Sequence, residues 1–132
     1  MRAARHYLRG LAADRRGSAA VEAALALPIL FTMCFGVIEV GRGMWMQNSL
    51  MDAVDAAARC GAVSASCTTS AQIATHAVGQ IKGFSVASSN FTVTTEACGI
   101  KVAASVPFKL KIPAITTSNF NLTAQSCRPY TP

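Results

Sequence analysis

Acid is scarce in this chain, histidine scarcer, and no catalytic signature occurs in it. Only six Asp and Glu stand among 132 residues, with two His, and charged residues of both signs make up 14%. The short motifs that build active sites are missing: no G-x-S-x-G nucleophile turn, no H-E-x-x-H pair, no phosphate-cradling loop, no dinucleotide fingerprint. Ser, His and Asp occur, but nothing groups them. His76 has no Cys, His or carboxylate at ligand spacing, and neither C-x-x-C nor a paired-His spacing supports zinc. These absences weigh against an enzyme, a metal and a cofactor.

Basic residues are not scarce, but they are unevenly placed. Of twelve Lys and Arg, five (Arg2, Arg5, Arg9, Arg15, Arg16) precede Gly17, accompanied there by one acid, Asp14. Beyond it the balance is seven basic to five acidic. The net charge is therefore positional. A basic flank before an apolar segment holds that end in the cytoplasm, and no basic face with interleaved aromatics follows that would bind nucleic acid.

The apolar segment lies in GSAAVEAALALPILFTMCFGVIEVGRG, Gly17 to Gly43. Ala23 to Ile38 carries no charge, and the limits widen to Ala19–Val40 if Glu22 and Glu39 are admitted. A bilayer core about 30 Å thick requires about twenty helical residues, so the segment spans if its ends lie at the interfaces. A cleaved secretory signal is the rival reading. Its apolar core would have to begin with an acid and contain Pro28, and no small-x-small site follows. Glu22, one turn into the run, is costly in lipid unless paired, which makes it a functional candidate by default. Read without function, it is an interfacial carboxylate favoured by the helix N-terminus.

Gly17-Ser18 with Glu22 as the fifth residue after the junction resembles the processing site of a type IV prepilin. More narrowly, residues 15 to 60 resemble the TadE-like family, minor pilins or pseudopilins of the tight-adherence pilus. The resemblance rests on Arg15-Arg16, Gly17, Val21-Glu22, Leu27-Pro28 and Glu39-Val40-Gly41-Arg42. It implies a non-enzymatic subunit made as an inner-membrane precursor and cut after Gly17, with its C-terminal domain in the periplasm or, after assembly, in a pilus. A prepilin peptidase, sister minor pilins and an assembly platform with its ATPase are the implied partners. The major pilins of these systems carry Glu-Tyr where this chain has Glu22-Ala23, which argues against the abundant fibre subunit. The implied division is a basic leader over 1–17, a membrane helix over 18–43 and an exported pilin-like domain over 44–132. The alternative is an uncleaved single-span protein whose outer domain binds a ligand or wall component.

Each position has a physical sense of its own. Glycine at the cut permits an extended approach to a peptidase. Cutting creates a new amine on Ser18, which Glu22 of a neighbouring helix can pair with, setting register between subunits more than adding stability. Pro28 removes the bond to the Ala24 carbonyl and acts as a hinge or a tolerated kink. Glu39, Gly41 and Arg42 form a motif at the outer interface.

Beyond the span the helix continues to about Gly61, with Met44, Trp45, Leu50, Met51, Val54, Ala57 and Ala58 near helical spacing. Trp45 suits an interfacial anchor, and Gly41 and Gly43 mark a local kink. Cys60–Thr69 reads as a loop. Thr69 and Gln72 form a capping box for a second helix that Gly83 closes. From Asn90 the period becomes two: Phe91 and Val93, then Ile100 to Ile112, then Phe120 to Ala124. Pro107 should interrupt the middle ladder, the lysines read as edge protection, and Ile112–Asn119 as a crossover loop. The expected fold is α+β: a long N-terminal helix, a second helix and a three-stranded antiparallel sheet.

Cys34 lies in the span and serves as a small hydrophobe. The other four cysteines follow it, and an even set in a small exported domain reads as two disulfides. Four cysteines allow three pairings. Cys60–Cys67 closes the loop after the long helix. Cys98–Cys127 is favoured because the first and third strands run the same way beside the second, so their ends meet.

Overall fold

The structure, a computed structural model, describes residues 16–111 and 119–129. Residues 1–15 of the expected leader and 112–118 of the expected Ile112–Asn119 crossover lie outside the described residues. Asn119 already belongs to a strand, and the strands on either side are antiparallel neighbours, so the connection is no crossover. Helix α1 (Arg16–Val63) takes up 48 residues, about 72 Å at 1.5 Å per residue. It passes Pro28, Gly41 and Gly43 without a break. Thr32 donates its hydroxyl to the Pro28 carbonyl at 2.8 Å. Gly43 lies against the sheet: an added Cβ would stand 3.4 Å from the Phe108 ring.

The loop is shorter than expected, since α1 runs on to Val63 and Ser64 donates its amide to the Cys60 carbonyl. Helix α2 (Ser70–Gln80) starts with the expected reciprocal cap. Gln72 donates its amide to the Thr69 hydroxyl (3.3 Å), and Thr69 donates its amide to the Gln72 side chain (3.0 Å). Its C-cap is Ile81, not Gly83. Gly83, at φ +88°, instead turns the chain beneath Trp45, whose ring leaves no room for a Cβ.

After a single 3₁₀ turn at Ser88–Asn90, the sheet is built from β1 (Phe91–Glu96), β2 (Gly99–Lys109) and β3 (Asn119–Arg128). Their order is β1-β2-β3, with both pairs antiparallel. Phe91, Ile100, Val102, Ala104, Val106, Phe108, Leu122 and Ala124 are buried. Against them pack Met46, Leu50, Val54, Ala57 and Ala58 of α1 and Ile73, Ala74 and Ala77 of α2. Full burial of residues such as Leu50, Val54, Val102 and Phe108 stabilises by about 1.5–3 kcal/mol each. The fold is α+β, as the two periodicities indicate.

Pro107 does not break the ladder; it pairs with Asn121 inside β2. Asn90 donates its side-chain amide to the Ser105 carbonyl, so the odd residues here direct backbone groups toward the β1 side. Pairing with β1 has ended by Ala104, and a missing N–H at 107 therefore removes no strand bond. The lysines of β2 are on the middle strand, and Lys101 bridges to Glu96 at 3.0 Å, so edge protection does not describe them.

Candidate functional site

Two halves of α1 differ in what covers them. In its most apolar 18-residue window none is buried against the rest of the chain, and the helix is long and apolar enough to cross a membrane. Val21, Leu25, Ile29, Leu30, Met33, Val37 and Ile38 are all exposed. From Gly43 onward one face is buried in the domain's own core. A helix apolar all round and uncovered needs lipid or other helices around it.

The motif at Glu39–Arg42 joins the halves. Arg42 donates from Nε to Glu39 Oε1 (3.2 Å) and from Nη2 to Glu39 Oε2 (2.8 Å). The same Nη2 reaches the Lys109 carbonyl at 2.9 Å, and the Lys111 amide donates to Glu39 at 3.2 Å. The guanidinium also sits 4.4 Å over the Phe108 ring. Thus the two charges of the motif clasp the end of β2 to the helix. Gly41, between them, has nothing within 4 Å of where a Cβ would be, so this domain's packing gives no reason for its smallness.

Further along, Gln47 donates to the Thr123 carbonyl at 2.7 Å. At the far end Asp55 accepts from Ser126 (2.8 Å) and from Arg128 Nη2 at 2.6 and 2.8 Å. The Ser126 hydroxyl, and then Arg128, hold the Asp55 carboxyl below its ordinary range. The sheet is therefore tied to α1 at three levels, with β2 running back along the helix from Gly61 to Gly43. Sequence reading missed Gly61, Asp55 and Arg128. A glycine in a helix reads as a weakness, and ion partners 73 residues apart leave no local signal.

The remaining candidates lie apart from this clasp. Gly17 occupies the first turn of α1, which is helical where an extended approach was expected. Opening that turn costs little, because the first amides have no intrahelical partner and glycine disfavours helix by about 1 kcal/mol. Ser18 and Glu22 are exposed one turn apart, and Glu22 has no ion-pair partner among the described residues. Cys60 is bonded to Cys67 and Cys98 to Cys127, while Cys34 is free and exposed. His76 lies beside the first cystine, with the three ligand-type atoms within 4.8 Å. Disulfide sulfurs are not thiolates, however, so this group offers a metal one imidazole only.

Residues 17–59 match the model of a family described as TadE-like protein. The match takes in most of α1, including Gly17, Glu22, Pro28 and the Glu39–Arg42 clasp, and none of the sheet. No curated protein and no solved structure matches the chain. Over those residues, a third of the chain, it is similar to TadE-like proteins, a family of pilin-like structural components of tight-adherence pili. The similar stretch includes the uncovered apolar helix, which is consistent with association with a membrane.

Proposed function

We propose that this protein is a minor pilin or pseudopilin of a tight-adherence pilus. Residues 1–17 are a leader, 18–43 a membrane helix and 44–132 an exported domain. A prepilin peptidase cuts after Gly17, and sister minor pilins and the assembly platform with its ATPase take up the mature subunit. The carrying observation is the division of α1, matched by the TadE-like model over 17–59: its outer half is buried on one face by its own domain, and its inner half is apolar, uncovered and headed by Glu22, which has no ion-pair partner among the described residues. In a bundle of such helices Glu22 accepts the new amine on Ser18 of a neighbour, and losing either partner strands a charge in an apolar setting. Ala23 after Glu22 supports the minor rather than the major subunit.

Glu22→Ala tests the assembly role. The residue lies far from the domain core, so the variant should insert, be cleaved and form both disulfides as before. Co-purification with other pilus subunits, and pili, should fall sharply. Normal pili in the variant would reduce Glu22 to a helix-terminus carboxylate. The helical setting of Gly17 favours a second reading, an uncleaved single-span protein with an outer ligand- or wall-binding domain. The two readings differ in one observable, the mass of the cellular protein.

A further inference from the structure

We infer that the membrane-facing end of the outer domain is a collar that docks on anionic phospholipid headgroups; this rests on the reading of α1 as a membrane span. Charge is segregated along the molecule. Beyond Leu50, Arg59, Lys101 and Arg128 are balanced by Asp52, Asp55 and Glu96, with two of the three cations in direct ion pairs. The opposite end, where the span emerges, carries Arg42, Lys82, Lys109 and Lys111 against Glu39 alone. The excess charge of the described domain is thus all on the side that meets the bilayer.

Geometry gathers these cations at one depth. Lys109 and Lys111 belong to the stretch clasped by Glu39 and Arg42. Lys82 precedes Gly83, which lies against Trp45 three residues after Arg42. All three lysines are exposed, and none has an ion-pair partner among the described residues. Beside the Glu39–Arg42 clasp lies a largely apolar groove of ≈ 460 Å³, whose lining includes Glu39, Val40, Met44, Phe108, Leu110 and Phe120. Phe120 is 46% exposed and Trp45 51%. Val40 belongs both to the groove and to the uncovered apolar length of α1, so the groove continues the surface that faces hydrocarbon.

Cationic amines, an aromatic ring and an apolar cleft at one level match a phosphate-rich interface above acyl chains. A second copy fits less well, since apposing the same ends would set four cations against four with only the two Glu39 carboxylates, already clasped, to offset them. Docked in this way, the collar fixes how the sheet stands on the bilayer while the subunit waits in the membrane.

The chain's one tryptophan is Trp45, so its emission reports collar depth without a label. The full chain is reconstituted into phosphatidylcholine vesicles with or without phosphatidylglycerol, and Trp45 quenching by lipids brominated high in the acyl chain is measured. Phosphatidylglycerol should blue-shift the emission and raise quenching, and added salt should reverse both. Lys82→Gln/Lys109→Gln/Lys111→Gln should respond to neither, while the matching Arg triple variant keeps the response. Equal quenching in the two lipids, an unchanged response in the Gln variant, or shielding that follows protein density instead of lipid charge would overturn the collar. Alkaline extraction of the same vesicles separates the failures. A chain retained but indifferent to lipid charge loses only the collar; a chain extracted loses the span and the collar together.

Discussion

Glycine has two opposite roles along α1, and substitution distinguishes them. At Gly61 a Cβ would lie 2.7 Å from Ile73 and 3.1 Å from Ile100, so alanine forces the core apart. At Gly43 the nearest atom is 3.4 Å away, an ordinary contact. Gly43→Ala should therefore raise the stability of the detergent-solubilised chain by up to about 1 kcal/mol through helix propensity. Gly61→Ala should lower it by about 1–3 kcal/mol through overpacking. Thermal unfolding checks both signs. Asp55 governs a different response. Its folded carboxyl titrates below the ordinary 3.8, so its contribution is complete above the unfolded value and is lost as pH falls through the folded one. The site is 45% exposed, which limits the effect to about 1 kcal/mol. Asp55→Asn should be slightly less stable than the parent at neutral pH, with the gap closing below about pH 4; a constant gap down to acid would mean that packing, not charge, was lost.

Among the elements, the two cystines stabilise unequally. Closing the span from Cys98 to Cys127, 29 residues apart, restricts the unfolded chain by about 3.5 kcal/mol, against about 2.5 for Cys60–Cys67, seven apart. Cys98→Ser/Cys127→Ser should thus lower the melting temperature more than Cys60→Ser/Cys67→Ser, and peptide mapping without reductant should leave Cys34 as the free thiol. The same elements show how far sequence carries. Strand alternation, the Thr69–Gln72 cap and the ends joined by Cys98 and Cys127 were all legible, because each is a local pattern or follows from strand direction. So was most of the buried face of the outer helix, where Leu50, Val54, Ala57 and Ala58 are covered as their spacing indicates. Met44 and Met51 are exposed instead, and Gly43, Met46 and Ala53 share the buried face, because angular position on the helix and not side-chain size decides what is covered. Nor could composition show that Glu39 and Arg42 would meet the end of β2, since a backbone carbonyl and amide have no letter in the sequence.

At the scale of the whole molecule, the chain is a small α+β domain clasped to the outer half of a helix whose inner half is left for other surfaces. The most apolar stretch of the inner half is not buried by the domain, and the family match runs from there into the outer half. This division predicts a protein whose function is completed by processing and assembly. The proposed cut between Gly17 and Ser18 is central to it. Intact-mass measurement and N-terminal sequencing of the protein isolated from its own membranes test that cut directly. Processing after Gly17 predicts a chain that begins at Ser18 and has lost the basic leader, and a bulky residue at 17 should leave the precursor uncut. A full-length chain that retains Met1 and Arg2 to Gly17 in cells assembling pili would contradict it.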